Sequence, residues 1–225
     1  MFGKTIGNVE KNMEDIKKLE ELILKYPGSY PNYKEILSLY FYKYPELVGT
    51  EAPKKIVFEI INRFSSEEGE WQEWASHFLQ KLGQGEEVVR LWKKIIEKPD
   101  VEERTINNAG IFCMHLDSSF SAKCFALVNA KHPNDLETLE NLAQTLSWAN
   151  NSTDAFNFFK KRMLLSKEIN PYVLMEGLIC AVKTNNLVEA GIWAKKISED
   201  IAGDEVTKKQ IQELLKVAKV TGYLS

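Results

Sequence analysis

Ala149-Asn150-Asn151-Ser152-Thr153-Asp154-Ala155 is the stretch that decides the fold. Its two asparagines tolerate the left-handed backbone region that a tight turn between helices requires. Ser152, Thr153 and Asp154 suit the start of a helix, where side-chain oxygens satisfy unpaired backbone N–H groups. Ala155 keeps the first turn of that helix small. The same layout occurs at Leu82-Gly83-Gln84-Gly85-Glu86-Glu87-Val88, at Leu116-Asp117-Ser118-Ser119-Phe120-Ser121-Ala122 and at Thr184-Asn185-Asn186-Leu187-Val188-Glu189-Ala190. From Val88 to Ala122 is 34 residues, from there to Ala155 is 33, and from Ala155 to Ala190 is 35. A helix, a polar turn and a second helix that opens on a small or β-branched residue, recurring at that period, is a repeat architecture.

Outward from each turn the pattern continues. Trp92 follows Val88 and Phe159 follows Ala155 by one helical turn, where bulky side chains fill the space between paired helices. Pro99 and Pro133 punctuate the ends of pairs, and Pro171 opens a helix at a position where its missing N–H costs nothing.

On these residues the chain resembles the tetratricopeptide repeat family. That family places a small residue at the eighth position of each unit and alanine at the twentieth. With Val88, Ala122, Ala155 and Ala190 at the twentieth, the eighth positions are Ser76, Gly110, Ala143 and Leu178, with Gly177 one residue from the last. Val88 departs from the pattern, and Ala126 and Ala194 stand where a large aromatic is usual. The resemblance implies an all-α fold, a right-handed superhelix of antiparallel helix pairs.

The expected organisation is one repeat domain over 1–225. Residues 1–68 hold diverged N-terminal helices, with an amphipathic helix over Val9 to Tyr26 and a diverged pair at Tyr33 to Tyr44 and Ala52 to Phe64. Four helix pairs occupy 69–202. A C-terminal capping helix covers the open end of the stack over 203–225, its body running from Asp204 to Val220.

Composition narrows the function. The formal net charge is −3 and 29 basic residues are interleaved with 32 acidic ones. Phosphate binding asks for clustered cations, so nucleic acid is disfavoured as a partner. No stretch approaches the ~20 apolar residues of a membrane span, and the N-terminus has no apolar core of a secretory signal. The expected compartment is the cytoplasm. Three cysteines, Cys113, Cys124 and Cys180, form no disulfide framework.

No catalytic constellation stands out. Leu82-Gly83-Gln84-Gly85 lacks the third glycine and the preceding strand of a dinucleotide loop. Cys113 and His115 are two apart, a spacing that does not converge on one metal from a helix, and no CxxC or HExxH motif exists. Neither metal nor cofactor is expected, and the chain is read as no enzyme. Acidic runs at Glu67 to Glu70 and Asp100 to Glu103 precede helices, where the dipole favours them.

In the family the first helix of each pair lines the concave face that holds a partner peptide. Carried onto this sequence, the resemblance gives Asn107, Asn108, His115, Asn141, Gln144, Trp148, Tyr172 and Met175 as partner-binding residues, with Glu73, His77, Arg104, Ile111, Glu140 and Ile179 on the same face. Amides both donate and accept, so they suit an extended peptide backbone, and aromatics add rigid contact area. The implied function is a protein–protein interaction scaffold or adaptor whose partner is another protein or a peptide. Two alternatives stand beside it. Trp71, Trp74 and Val88-Val89-Arg90-Leu91-Trp92 resemble the half-a-tetratricopeptide repeats of RNA-processing scaffolds, and a helical scaffold can also carry an enzyme.

Overall fold

The computed structural model describes residues 3–64, 71–166, 168, 170–200, 209–213 and 216. Among the described residues every regular element is helical. The chain divides into two compact units, Met1–Pro99 and Asp100–Ser225.

Unit 1 begins with α1 (Gly3–Lys25) and α2 (Tyr30–Ser38). A π-helical turn, Leu39–Lys43, prolongs α2, and α3 (Glu51–Phe64), α4 (Trp71–Lys81) and α5 (Gly85–Ile96) follow. Consecutive α-helices pack against one another, and α2 also touches α4. Tyr33, Ile36, Val57, Ile60, Phe78, Leu79 and Trp92 have little or no exposed surface and form its interior.

Unit 2 holds three helix pairs: α6 (Glu103–Cys113) with α7 (Ser118–Lys131), α8 (Leu136–Trp148) with α9 (Ser152–Leu165), and α10 (Pro171–Lys183) with α11 (Leu187–Asp200). Each helix packs on the next, and α8 also packs on α10, so these two first helices are neighbours. Of the expected capping helix, 209–213 and 216 are helical and Ile211 is buried in one core with Trp193 and Ile197. The rest of that expectation lies outside the described residues, as do Gly69 and the acidic run at 67–70.

The turns within pairs explain why the period is legible. Gly83, Asn150 and Asn185 have φ of 71°, 61° and 59°, and each lies five residues before Val88, Ala155 or Ala190. Each turn closes with the same two backbone bonds. Gly83 N–H donates to Gln80 O (2.9 Å) and Gln84 N–H to Leu79 O (2.8 Å). Asn150 and Asn151 repeat this to Ser147 and Leu146, and Asn185 and Asn186 to Val182 and Ala181. This is the glycine- or asparagine-dependent helix stop, in which a left-handed residue lets two N–H groups satisfy the last carbonyls.

The α6–α7 turn is built differently and shifts the register by one residue. Leu116 and Asp117 N–H both donate to Cys113 O, with no left-handed residue, and the Asp117 carboxylate caps α7 through Phe120 N–H (2.9 Å). Ser121, rather than Ala122, therefore meets the first helix, donating from Oγ to Gly110 O at 2.7 Å. Phe125, rather than Ala126, fills the aromatic position: a Cβ on Gly110 would lie 2.8 Å from its Cζ. Ala126 is exposed.

The α10–α11 pair shows a related offset. Gly177, not Leu178, makes the close approach, since a Cβ there would lie 3.1 Å from both Phe159 and Trp193. Trp193 thus takes the aromatic position that the register assigned to Ala194. In α4–α5 the small residue is Ser76, and its Oγ accepts from the fully buried Trp92 indole N–H at 2.7 Å.

Two outcomes test these packings. Gly110→Ala gains about 1 kcal/mol of helix propensity but drives a methyl into the buried Phe125 ring, an overpacking cost of ~1–3 kcal/mol. A net loss of about 1 kcal/mol is expected in urea denaturation, and Phe125→Leu should cost less in that background than in the wild type. Asn150→Val should destabilise by roughly 1–2 kcal/mol because a β-branched residue is strained in the left-handed region, whereas Asn150→Gly should leave the midpoint nearly unchanged.

Candidate functional site

The first helices of unit 2 carry the expected binding residues. Asn107 and Asn108 lie on α6 and are half-buried, as are Asn141 and Gln144 on α8. Tyr172 stands on the first turn of α10 and is 71% exposed, its N–H held by the Asn170 cap. Met175 is half-buried and packs against the core between α8, α9, α10 and α11.

His115 lies just past the end of α6, in the turn, and is exposed. Trp148 is the last residue of α8 and half-buried. The structure brings these two together: their ring centroids are 4.7 Å apart with planes inclined by 32°. The pair bridges adjacent first helices at one end of the face. Ile111, one turn before His115, and Leu116 beside it are 40% and 42% exposed, so the bridge stands among apolar side chains that solvent reaches.

Ser147, adjacent to Trp148, faces the other way because successive helical residues point about 100° apart. Its buried Oγ donates to Glu176 Oε2 (3.2 Å) and accepts from Cys180 Sγ (3.3 Å), both on α10. The end of α8 is thereby tied to both neighbouring first helices.

Not every polar residue on the face is available to a partner. Arg162 on α9 is 5% exposed, and its Nε donates to Glu140 Oε1 at 2.7 Å. Its other nitrogens donate to the backbone carbonyls of Ser166 and Glu168. Glu140, which the register puts on the expected binding face, is thus the counter-ion of a buried guanidinium that also holds the Ser166 and Glu168 carbonyls. A basic run such as Lys160-Lys161-Arg162 does not by its composition say which member is buried. Only the packing shows that Arg162 points inward, beside Phe159, while Lys160 pairs with Glu189.

A cleft of about 360 Å³ lies at the opposite end of the face, where Glu103, Arg104 and Asn107 meet His132, Asp135 and Thr138. Glu103 pairs with His132 Nε2 at 2.8 Å. Asp135 caps α8, and its hydrogen bonds from Thr138 hold its carboxyl below the usual range. The acidic groups here are spent on local structure.

The cysteines behave as core residues. All three are buried, and burial pushes the Cys124 thiol up to about 12 and also raises Cys180. Neither of these two presents a thiolate at neutral pH. Among the described residues no three His, Cys, Asp or Glu side chains are grouped to hold a metal ion.

The helix pairs, their shared turn chemistry and their small-against-aromatic contacts can be set beside solved structures. The chain aligns over 87% of its length, and 97% of the other's, with a structure titled "Crystal structure of YrrB: a TPR protein with an unusual peptide-binding site", at TM-score 0.61 and 13% identity. The fold is tetratricopeptide-like. A second similar structure is titled "Crystal structure of PilW, widely conserved type IV pilus biogenesis factor", with TM-score 0.56, 16% identity and 94% of each chain covered. No protein-family model matches the chain, and no curated protein does. At such identities the tetratricopeptide-like likeness is one of fold alone. Among the described residues no helix is long and apolar enough to cross a membrane.

Structural and available polar groups on this face should separate cleanly. Glu140→Ala strands the buried Arg162 guanidinium and should cost ~3 kcal/mol of stability. Gln144→Ala, on the same helix, should change stability by less than about 0.5 kcal/mol. Thermal or urea denaturation of the two variants measures the contrast.

Proposed function

We propose that the protein is an interaction scaffold that binds a segment of a partner protein along the first helices of unit 2. The observation that carries this reading is the His115–Trp148 ring pair. It joins adjacent pairs, with His115 exposed and with Ile111 and Leu116, close by in sequence, also exposed. A tryptophan kept at a surface in this way is rigid contact area, the kind of residue that dominates binding energy.

Along the same helices Asn108 and Asn141 recur 33 residues apart, joined by Asn107 and Gln144. Their amides suit the alternating N–H and C=O groups of an extended backbone. The partner segment would lie across α6 and α8 with an apolar side chain on the Ile111–His115–Trp148 surface, and Tyr172 and Met175 would extend the contact onto α10. A similar fold is described as having an unusual peptide-binding site, which fits a helical scaffold put to this use. On this reading the protein works by binding, with neither cofactor nor catalytic group.

The test combines capture and substitution. Wild-type protein and the Trp148→Ala variant are immobilised against lysate of the source cell, and retained proteins are quantified by mass spectrometry. A genuine partner should be lost with Trp148→Ala, and its isolated segment should bind about 30-fold more weakly, the ~2 kcal/mol of a hot spot. The melting temperature should fall only slightly, because Trp148 is half-buried. A large loss of stability with unchanged capture would show that Trp148 is a packing residue and overturn the assignment.

A further inference from the structure

Two sets of contacts fix how α10 lies beside α8. Ser147, next to the end of α8, bonds to Glu176 and Cys180 on α10. Arg162 joins Glu140, in the first half of α8, to the carbonyls of Ser166 and Glu168, which precede α10. The two first helices therefore run in the same direction, with the end of α8 beside Cys180 and Glu140 toward the beginning of α10.

Tyr172, Glu176 and Cys180 follow one another at intervals of four and form one stripe of α10. Glu176 and Cys180 both reach Ser147, so the stripe is turned toward α8. Its first member, Tyr172, is 71% exposed. From Cys180 back to Tyr172 is eight residues, or ~12 Å along the helix axis. The step from α8 to α10 adds ~8–10 Å across. The Tyr172 ring and the His115–Trp148 pair are thus about 15 Å apart.

Amides lie on the path between these rings. Gln144 and Asn141 stand four and seven residues before Trp148, on the same stripe of α8. Both are half-buried, and among the described residues neither side-chain amide has a hydrogen-bond partner. A helix laid on this surface would keep its own N–H and C=O groups paired within itself. An extended chain offers both groups, and an amide can answer either.

Extended geometry then selects a spacing. A strand rises ~3.3 Å per residue and sends successive side chains to opposite faces. Residues i and i+4 share a face and lie ~13 Å apart; i+2 reaches only ~7 Å, i+6 overshoots at ~20 Å, and i+5 points away. Granted the unit 2 partner site, we infer that it takes an extended segment carrying two apolar side chains four residues apart, one on the His115–Trp148 pair and one on Tyr172, with a polar residue between them over the amides. Met175, three residues after Tyr172 and half-buried, brings a flexible thioether that adapts to the second side chain.

Fluorescence anisotropy with short labelled peptides provides the test. The host sequence is neutral Ser, Thr and Asn, with two leucines spaced i+2, i+4, i+5 or i+6, and a control carries a single leucine. A helical peptide with leucines at i and i+10 spans the same ~15 Å. The i, i+4 peptide should bind tightest, about tenfold tighter than the control. Trp148→Ala and Tyr172→Ala should each bring it down to the level of the control, and Tyr172→Phe should keep it. Tyr172→Ala should leave the melting temperature unchanged, because the ring is exposed. Equal affinity at every spacing, a preference for the helical peptide, or indifference to Tyr172→Ala would overturn the inference, while dependence on Trp148 would keep the site itself. Binding of no peptide, or binding untouched by Trp148→Ala, would remove the site and the inference with it.

Discussion

Everything in this protein rests on how closely the two helices of a pair approach. A small residue on the first helix faces a large aromatic on the second: Ser76 with Trp92, Gly110 with Phe125, Gly177 with Trp193. Ala143 and Phe159 share one core in the same manner. Where the first helix offers no side-chain bulk, the ring of the second comes close to its backbone. The burial of a Trp or Phe side chain is among the largest single contributions available to a fold of this size. The pair is therefore the unit of stability, and its spacing sets the period of the chain.

That constraint also disposes of one face of each first helix, leaving the other partly open. On α8, Leu139, Leu142, Ala143 and Ser147 are consumed by packing, while Asn141, Gln144 and Trp148 remain partly open. The boundary between the two sets is not one of polarity. Glu140 and Arg162 are charged and structural, and Ser147 is polar and structural, whereas Trp148 is apolar and reaches the surface. A buried guanidinium is tolerated because a carboxylate and two backbone carbonyls satisfy it together. The tetratricopeptide-like fold thus decides availability through geometry, and the chemistry of a residue alone does not.

The two units use their surfaces differently. In unit 2 the partly open residues of the first helices include amides and a His–Trp pair, beside charged groups such as Arg104. In unit 1 they are lysines seated on rings, arranged around a turn whose backbone departs from the α-helix to expose Tyr42. Cation–π contacts of this kind are individually small, but they hold long, otherwise mobile side chains in place.

The sequence by itself determined the helix-pair repeat. Gly83, Asn150 and Asn185 are read easily because the left-handed turn accepts few residue types, and a requirement that narrow leaves a mark at a fixed spacing. The placement of the first helices, and with them Asn108, Asn141 and Trp148 on α6 and α8, followed from the same register. Tertiary structure decided what spacing does not encode. The shorter α6–α7 turn handed the contact roles to Ser121 and Phe125 instead of Ala122 and Ala126, a shift set by three-dimensional closure of that turn. The meeting of His115 with Trp148, the inward turn of Arg162 toward Glu140, and the contacts of Phe41 with Phe78 and of Lys34 with Trp74 join residues 22 to 40 positions apart in the chain. Such contacts depend on which helix faces lie side by side, and a linear pattern carries no record of that.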